Sequence, residues 1–180
     1  NQELLIPSTE AGVYYILIRG QSEPAPNTPV QLLAEALPFQ ITNIVQDKGG
    51  DSRYVTVTIL GAQFHANAIV KLVRPGFAEI EPVHYVVADG TRIVAVFDFR
   101  SAPHGLYDVV VINPNGAQAR LPYRFLVEQA IEPDIIIGLG GTRVLWAGES
   151  SFYGLSLINA TNVDLPYVYF QVGIPELGLN

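Results

Sequence analysis

Gly105-Leu106-Tyr107-Asp108-Val109-Val110-Val111-Ile112-Asn113-Pro114-Asn115-Gly116 decides how this 180-residue chain is read. In an extended strand successive side chains point to opposite faces, which puts Tyr107, Val109 and Val111 on one side. Asn113-Pro114-Asn115-Gly116 then supplies turn chemistry, since proline presets φ and Asn and Gly tolerate left-handed backbone. The stretch is a strand closed by a tight turn, and it needs neighbours to bury its apolar face.

Those neighbours lie on both sides. Ile41-Thr42-Asn43-Ile44 reads as a short entry strand, followed by the turn-prone Gln46 to Asp51. Tyr54 to Leu60 alternates strictly, with Val55, Val57 and Ile59 opposite Thr56 and Thr58, as a half-buried strand does. Gly61 to Phe64 breaks the run, and Phe64 is placed to plug one end of a core. Ala68 to Val73 is the next strand. His84 to Val87 extends toward Asp89-Gly90, a hairpin signal, and Thr91 to Phe99 returns with Ile93, Ala95, Phe97 and Phe99 on one face. After the strand that begins at Gly105, Leu121, Tyr123, Phe125 and Val127 are expected on one face of a last strand. About seven strands, with turn signals roughly every 8–12 residues, are the mark of an immunoglobulin-like sandwich. In that fold Tyr107 is a candidate for a corner hydrogen bond.

The flanks are also strand-like. Gly12 to Arg19 is so apolar that a strand covered on both faces is expected. Val30 to Leu37, bracketed by Pro29 and Pro38, is read as a strand rather than a short helix. Beyond a linker at Glu128 to Pro133, strands are expected at Asp134 to Ile137, Thr142 to Trp146, Phe152 to Ile158 and Tyr167 to Val172. The expected fold class is all-β: an immunoglobulin-like antiparallel β-sandwich, with additional strands at both ends forming part or all of a second sandwich. The divisions are residues 1–38, 39–128 and 129–180. The last is either the start of a further module in a linear array, the arrangement preferred here, or is completed by residues 1–38.

Composition narrows the role. Hydrophobic residues make up 49% against 15% charged, which argues for packed domains and not disorder. A net charge of −7 with ten scattered basic residues argues against nucleic acid and against an anionic membrane surface. The apolar runs are of strand length, so no membrane insertion is expected. Cysteine is absent, which suits an exported bacterial protein, and the lack of methionine suggests a piece excised from something longer.

Residues 41–127 resemble an IPT/TIG domain. The resemblance rests on Ile41-Thr42-Asn43-Ile44, on Thr56-Val57-Thr58-Ile59-Leu60-Gly61 with Phe64 after it, on the spacing Gly-x-Tyr-x-Val-x-Val-x-Asn-Pro-x-Gly from Gly105 to Gly116, and on Phe125. Gln46-Asp47-Lys48-Gly49-Gly50 stands where the family usually has a proline-rich turn. More faintly, Gly12 to Ile18 is similar to the closing strands of pre-peptidase-type C-terminal domains. Tyr153 to Asn159 resembles cell-adhesion-related repeats. The resemblance implies a structural or adhesion module of a large extracellular or cell-surface bacterial protein, with neighbouring domains of the same polypeptide as partners and protein or glycan ligands as further ones. Its DNA-binding members imply basic loops, which this chain lacks.

No set of residues reads as a site. Gly138-Leu139-Gly140-Gly141 follows an apolar run, but Arg143 stands where a dinucleotide fingerprint needs its third glycine, and a β-turn is expected. Gly148-Glu149-Ser150-Ser151-Phe152 lacks the closing glycine of a nucleophile elbow. His65, His84 and His104 have no metal-ligand spacing. Asp47, Asp51, Asp89 and Asp98 could offer oxygen ligands to calcium, yet turn chemistry accounts for the first three. Asn159-Ala160-Thr161 is a formal glycosylation acceptor. Trp146, Tyr153, Tyr167 and Tyr169 could form a platform for sugar rings, whereas interior packing is the commoner use of such residues. The expectation is no catalytic, cofactor-binding or metal residues, no cofactor and no enzyme. The alternative reading is an accessory carbohydrate-binding module of a secreted enzyme, which exposed, coplanar aromatics would favour.

Overall fold

A computed structural model describes residues 4, 6, 12–19, 29, 31–142, 144 and 146–171. Ten strands are found and no helix among them: β1 (Gln40–Val45), β2 (Lys48–Gly50), β3 (Tyr54–Ala62), β4 (Ile69–Val73), β5 (His84–Asp89), β6 (Arg92–Asp98), β7 (Gly105–Ile112), β8 (Gln118–Glu128), β9 (Ile135–Gly140) and β10 (Gly154–Asn159). One sheet has the order β1-β3-β6-β5 and a second the order β2-β8-β7-β4. Apart from the short β2, this is the strand distribution of an immunoglobulin-type sandwich. β9 and β10 form a separate antiparallel pair.

The alternating positions fill the space between the sheets. Val55, Val57 and Ile59 of β3, Ile93, Ala95 and Phe97 of β6, and Tyr107, Val109 and Val111 of β7 are all fully buried in one cluster. Phe99 joins the layers, lying 5.7 Å from Phe97 and 5.2 Å from Phe125 between ring centres. Phe64 closes one end, edge-on to Phe39 at 6.3 Å. Such interiors are close-packed, so each of these side chains is held by its neighbours.

The strand that organises the fold is locked at both ends. The Tyr107 hydroxyl donates to the Pro103 carbonyl at 2.8 Å, the corner bond anticipated from the sequence. Gly105 takes a φ of +139°, and a Cβ there would lie 2.5 Å from Nη1 of Arg74. Arg74 crosses this point to donate to the His104 carbonyl while its guanidinium lies 4.2 Å over the Phe77 ring. Only glycine meets both demands. At the other end Gly116 N–H donates to Asn113 O at 2.9 Å. The Asn113 side chain accepts from His65 N–H at 3.0 Å and donates to Gln63 O at 2.9 Å, tying this turn to the end of β3.

Several expected elements differ. Residues 12–19 and 31–38 carry no strand, and Val13, Tyr15 and Leu17 are 80–94% exposed instead of covered on both faces. Strand propensity needs a paired, half-covered surface to act on. The described parts of 142–146 and of 167–172 also lack strands; Arg143, Leu145 and Val172 lie outside the described residues, as does Val30. Gln46 to Asp51 contains β2, which runs parallel to β8. A three-residue parallel strand with two glycines has neither the alternation nor the composition that marks strands. Gly138-Leu139-Gly140 lies inside β9 and is not a turn. Tyr123 faces solvent, because the β7–β8 register slips between Tyr107 and Val109 and Tyr123 has a φ of +51°. The buried Asp108 carboxylate secures this bulge, accepting from Tyr123 N–H at 2.6 Å and from Arg120 Nε at 2.7 Å.

Candidate functional site

The most elaborate polar arrangement lies where the sandwich meets the chain that follows β10. It begins with Lys48-Gly49-Gly50-Asp51. Leu126 N–H donates to Asp47 O at 2.9 Å and Asp51 N–H to Glu128 O at 3.1 Å, so β2 is bonded to the exit strand β8. Gly50 N–H faces the other way and donates to Asn162 O at 2.8 Å. A Cβ on Gly50 would stand 2.6 Å from Asn162 Oδ1 and 2.7 Å from Ala130 Cα, so the backbones approach this closely only because residue 50 has no side chain.

Asn162 is 1% exposed and fully used. Its Oδ1 accepts from Ile131 N–H at 2.9 Å, while its Nδ2 donates to Glu128 Oε1 at 3.1 Å and to Gln129 O at 3.0 Å. A buried amide satisfied in this way is specific, since any displaced partner leaves a polar group unpaired. Next to it Val163 is buried in the sandwich core cluster. Asp164 N–H then donates to Tyr54 O at 2.9 Å, and its Oδ2 accepts from the Thr56 hydroxyl at 2.5 Å. Residues 162–164 are thus stitched to β2, β3 and the segment after β8.

Asp51 and His104 complete the joint. Asp51 Oδ1 accepts from Ala130 N–H at 2.9 Å, and Oδ2 lies 2.8 Å from His104 Nε2. The Ala130 N–H, and after it the His104 ring, hold the Asp51 carboxyl below its ordinary value. A His–Asp pair is part of a hydrolytic triad, which also needs a nucleophile on the other ring nitrogen. Among the described residues no hydroxyl hydrogen-bonds to His104, and the pair ties the loop before β7 to the linker after β8.

The residues singled out from the sequence fall elsewhere or into this joint. His65 accepts from Asn67 N–H at 3.1 Å through Nδ1, and His84 starts β5, so the three histidines do not converge. Asp89 accepts from the amide and hydroxyl of Thr91, at 2.7 and 2.6 Å, and these bonds lower its pKa. Asp98 is lowered by its bonds from Arg100. Among the described residues no three His, Asp or Glu side chains gather as a metal would require. Asn159 accepts from Thr161 N–H and its hydroxyl and donates Nδ2 to Val163 O at 2.8 Å, so the glycosylation triplet is the turn that aims Asn162 inward. Gly148 has a φ of +90° in a turn closed by Glu149 N–H to Trp146 O, not in a nucleophile elbow. Trp146, Tyr153, Tyr167 and Tyr169 are exposed. Sequence reasoning missed Asn162 and Gly50; the signal was the pairing of an Asn-x-Thr-Asn turn with a Gly-Gly-Asp run.

An open groove between the β4–β5 and β6–β7 connections, lined by Glu79, Glu81, Asp98 and Arg100 among others, is shallow, and its charges are largely matched. Lys71 reaches Glu79 at 2.7 Å and Arg100 reaches Asp98 at 2.6 Å. No described helix is long and apolar enough to cross a membrane. A scan against protein-family models gives no match for this chain, and a search of curated proteins gives no significant similarity.

Proposed function

We propose that the chain is a non-catalytic, load-bearing module, a spacer or adhesion element of a larger extracellular or cell-surface bacterial protein. The observation that carries this reading is the position of β2. It lies near the entry of the sandwich and is bonded in parallel to β8, the strand by which the chain leaves, and also to Asn162 in the chain beyond. Tension on parallel terminal strands shears their hydrogen bonds together, whereas tension on a hairpin opens them one after another. The bacterial, extracellular setting comes with the IPT/TIG resemblance.

Single-molecule pulling tests this directly. Cysteines placed at Gln40 and Gln129 load the sandwich end to end, and cysteines at Pro82 and Arg100 unzip β5 from β6; the native chain has no cysteine to interfere. End loading is expected to need the higher force. Equal forces along both axes would overturn the reading.

One observation favours the accessory carbohydrate-binding reading: Trp146, Tyr167 and Tyr169 are 79–87% exposed. Aliphatic Ile136, Ile137 and Leu139 are exposed in the same part of the chain, which suits a protein strand better than a sugar ring. Binding on a glycan array that is lost in Trp146→Ala would support the carbohydrate reading over the spacer.

A further inference from the structure

β9 and β10 make a two-stranded sheet whose outer edges carry no further strand among the described residues. Both faces hold exposed apolar side chains: Ile137, Leu139, Leu155 and Leu157 on one, Ile136 and Ile158 on the other. A lone hairpin is marginal in water, and an open apolar edge recruits a strand. The same chain carries a segment of matching length and character, Gly12-Val13-Tyr14-Tyr15-Ile16-Leu17-Ile18-Arg19.

We infer that residues 12–19 of the same chain dock on the free edge of β9 as an antiparallel third strand, with Ile16 opposite Ile137 and Arg19 opposite Asp134. Three features select this register. Charge is the first, because an antiparallel strand brings its last residue, Arg19, to the start of β9, beside Asp134. Size is the second. One face of the hairpin has the small rows Gly138–Ser156 and Gly140–Gly154, and this register sets Tyr15 against Gly138 and Val13 against Gly140. An aromatic over a strand glycine supplies the surface the glycine lacks. Apolar continuity is the third: Ile16 extends the row Ile137–Leu157, Tyr14 the row Leu139–Leu155, and Leu17 the row Ile136–Ile158. Residues 20–39 have a full-extension reach of roughly 65 Å, ample for docking within one chain. Tethering at an effective concentration near millimolar favours the chain's own segment over that of a second copy.

Disulfide trapping and hydrogen exchange on the full chain test this. Ile16→Cys with Ile137→Cys is expected to oxidise within one chain, since directly opposed Cα atoms lie in the range a disulfide spans. Ile16→Cys with Ile158→Cys, which targets the far strand, is expected to stay reduced. In the native chain the amides of residues 13–18 should exchange at least about tenfold slower than unstructured ones, independently of protein concentration. Arg19→Glu should reduce that protection, and adding Asp134→Arg should restore it. Unprotected amides at 13–18, equal trapping by both cysteine pairs, or a failed charge swap would each overturn the proposal. So would protection or cross-linking that appears only between copies.

Discussion

β6 and β10 carry similar apolar runs and have opposite fates. In β6 the alternate residues Ile93, Ala95 and Phe97 are fully buried. In β10 Leu155, Leu157 and Ile158 remain exposed, as does most of β9. The sandwich residues have a second sheet to face, so burial supplies their stability. The hairpin has no such sheet among the described residues. Its position comes from residues 162–164, which pass one apolar side chain and a set of backbone and amide hydrogen bonds into the sandwich. One region is held by volume and the other by polar geometry.

Substitutions should separate the two. Tyr107→Ala removes a fully buried ring and should destabilise the sandwich by about 3–5 kcal/mol in chemical denaturation; Tyr107→Phe, which loses only the bond to Pro103, should cost about 1 kcal/mol. An unchanged midpoint for Tyr107→Ala would show the core register to be wrong. Next in size, Gly50→Val drives a side chain into Asn162, Ala130 and Val163 and should cost about 1–3 kcal/mol. Asn162→Ala leaves the Ile131 amide and the Gln129 carbonyl without their partner and should cost a comparable 1–3 kcal/mol or so. Both should free the hairpin, seen as faster amide exchange in β9 and β10, while β3 and β6 keep their protection. Leu157→Ala, on the exposed hairpin, should shift stability by no more than about 0.5 kcal/mol. A larger loss would mean that face is already covered.

The smallest effect concerns pH. Asp51 has a folded value below its unfolded one, so its contribution is complete above the ordinary carboxyl value of 3.8 and is lost as pH falls through the depressed folded value. Exchange in the hairpin should therefore quicken in that acid range ahead of exchange in the sandwich. In Asp51→Asn this acid-dependent difference should be absent.

The sandwich was legible because its signals are local and periodic. Val55-Thr56-Val57-Thr58-Ile59, the Asp89-Gly90 hairpin and the Asn113 to Gly116 turn each state their geometry within a few residues. Even the corner bond of Tyr107 spans only four positions. The joint was not legible, because its partners are distant in sequence and individually ordinary. Asp51 and His104 are 53 positions apart, and each alone reads as a loop residue. Gly50 looks like turn punctuation until Asn162 is found against it. Tyr123 was misplaced for a related reason: a bulge breaks strict alternation, and the Asp108 carboxylate that holds it lies on the neighbouring strand. Residues 12–19 show the reverse: their composition is strongly strand-like, yet they carry no strand, because composition alone does not set a segment beside a sheet edge.

Residues 162–164 join the hairpin to the sandwich through Asn162, Val163 and Asp164, so the two should move as one body. Residual dipolar couplings measured on the weakly aligned full chain test this most directly. Amides of β1 to β8 and of β9 and β10 should fit one alignment tensor, and Asn162→Ala should split that fit into two. Separate tensors in the native chain would contradict the account.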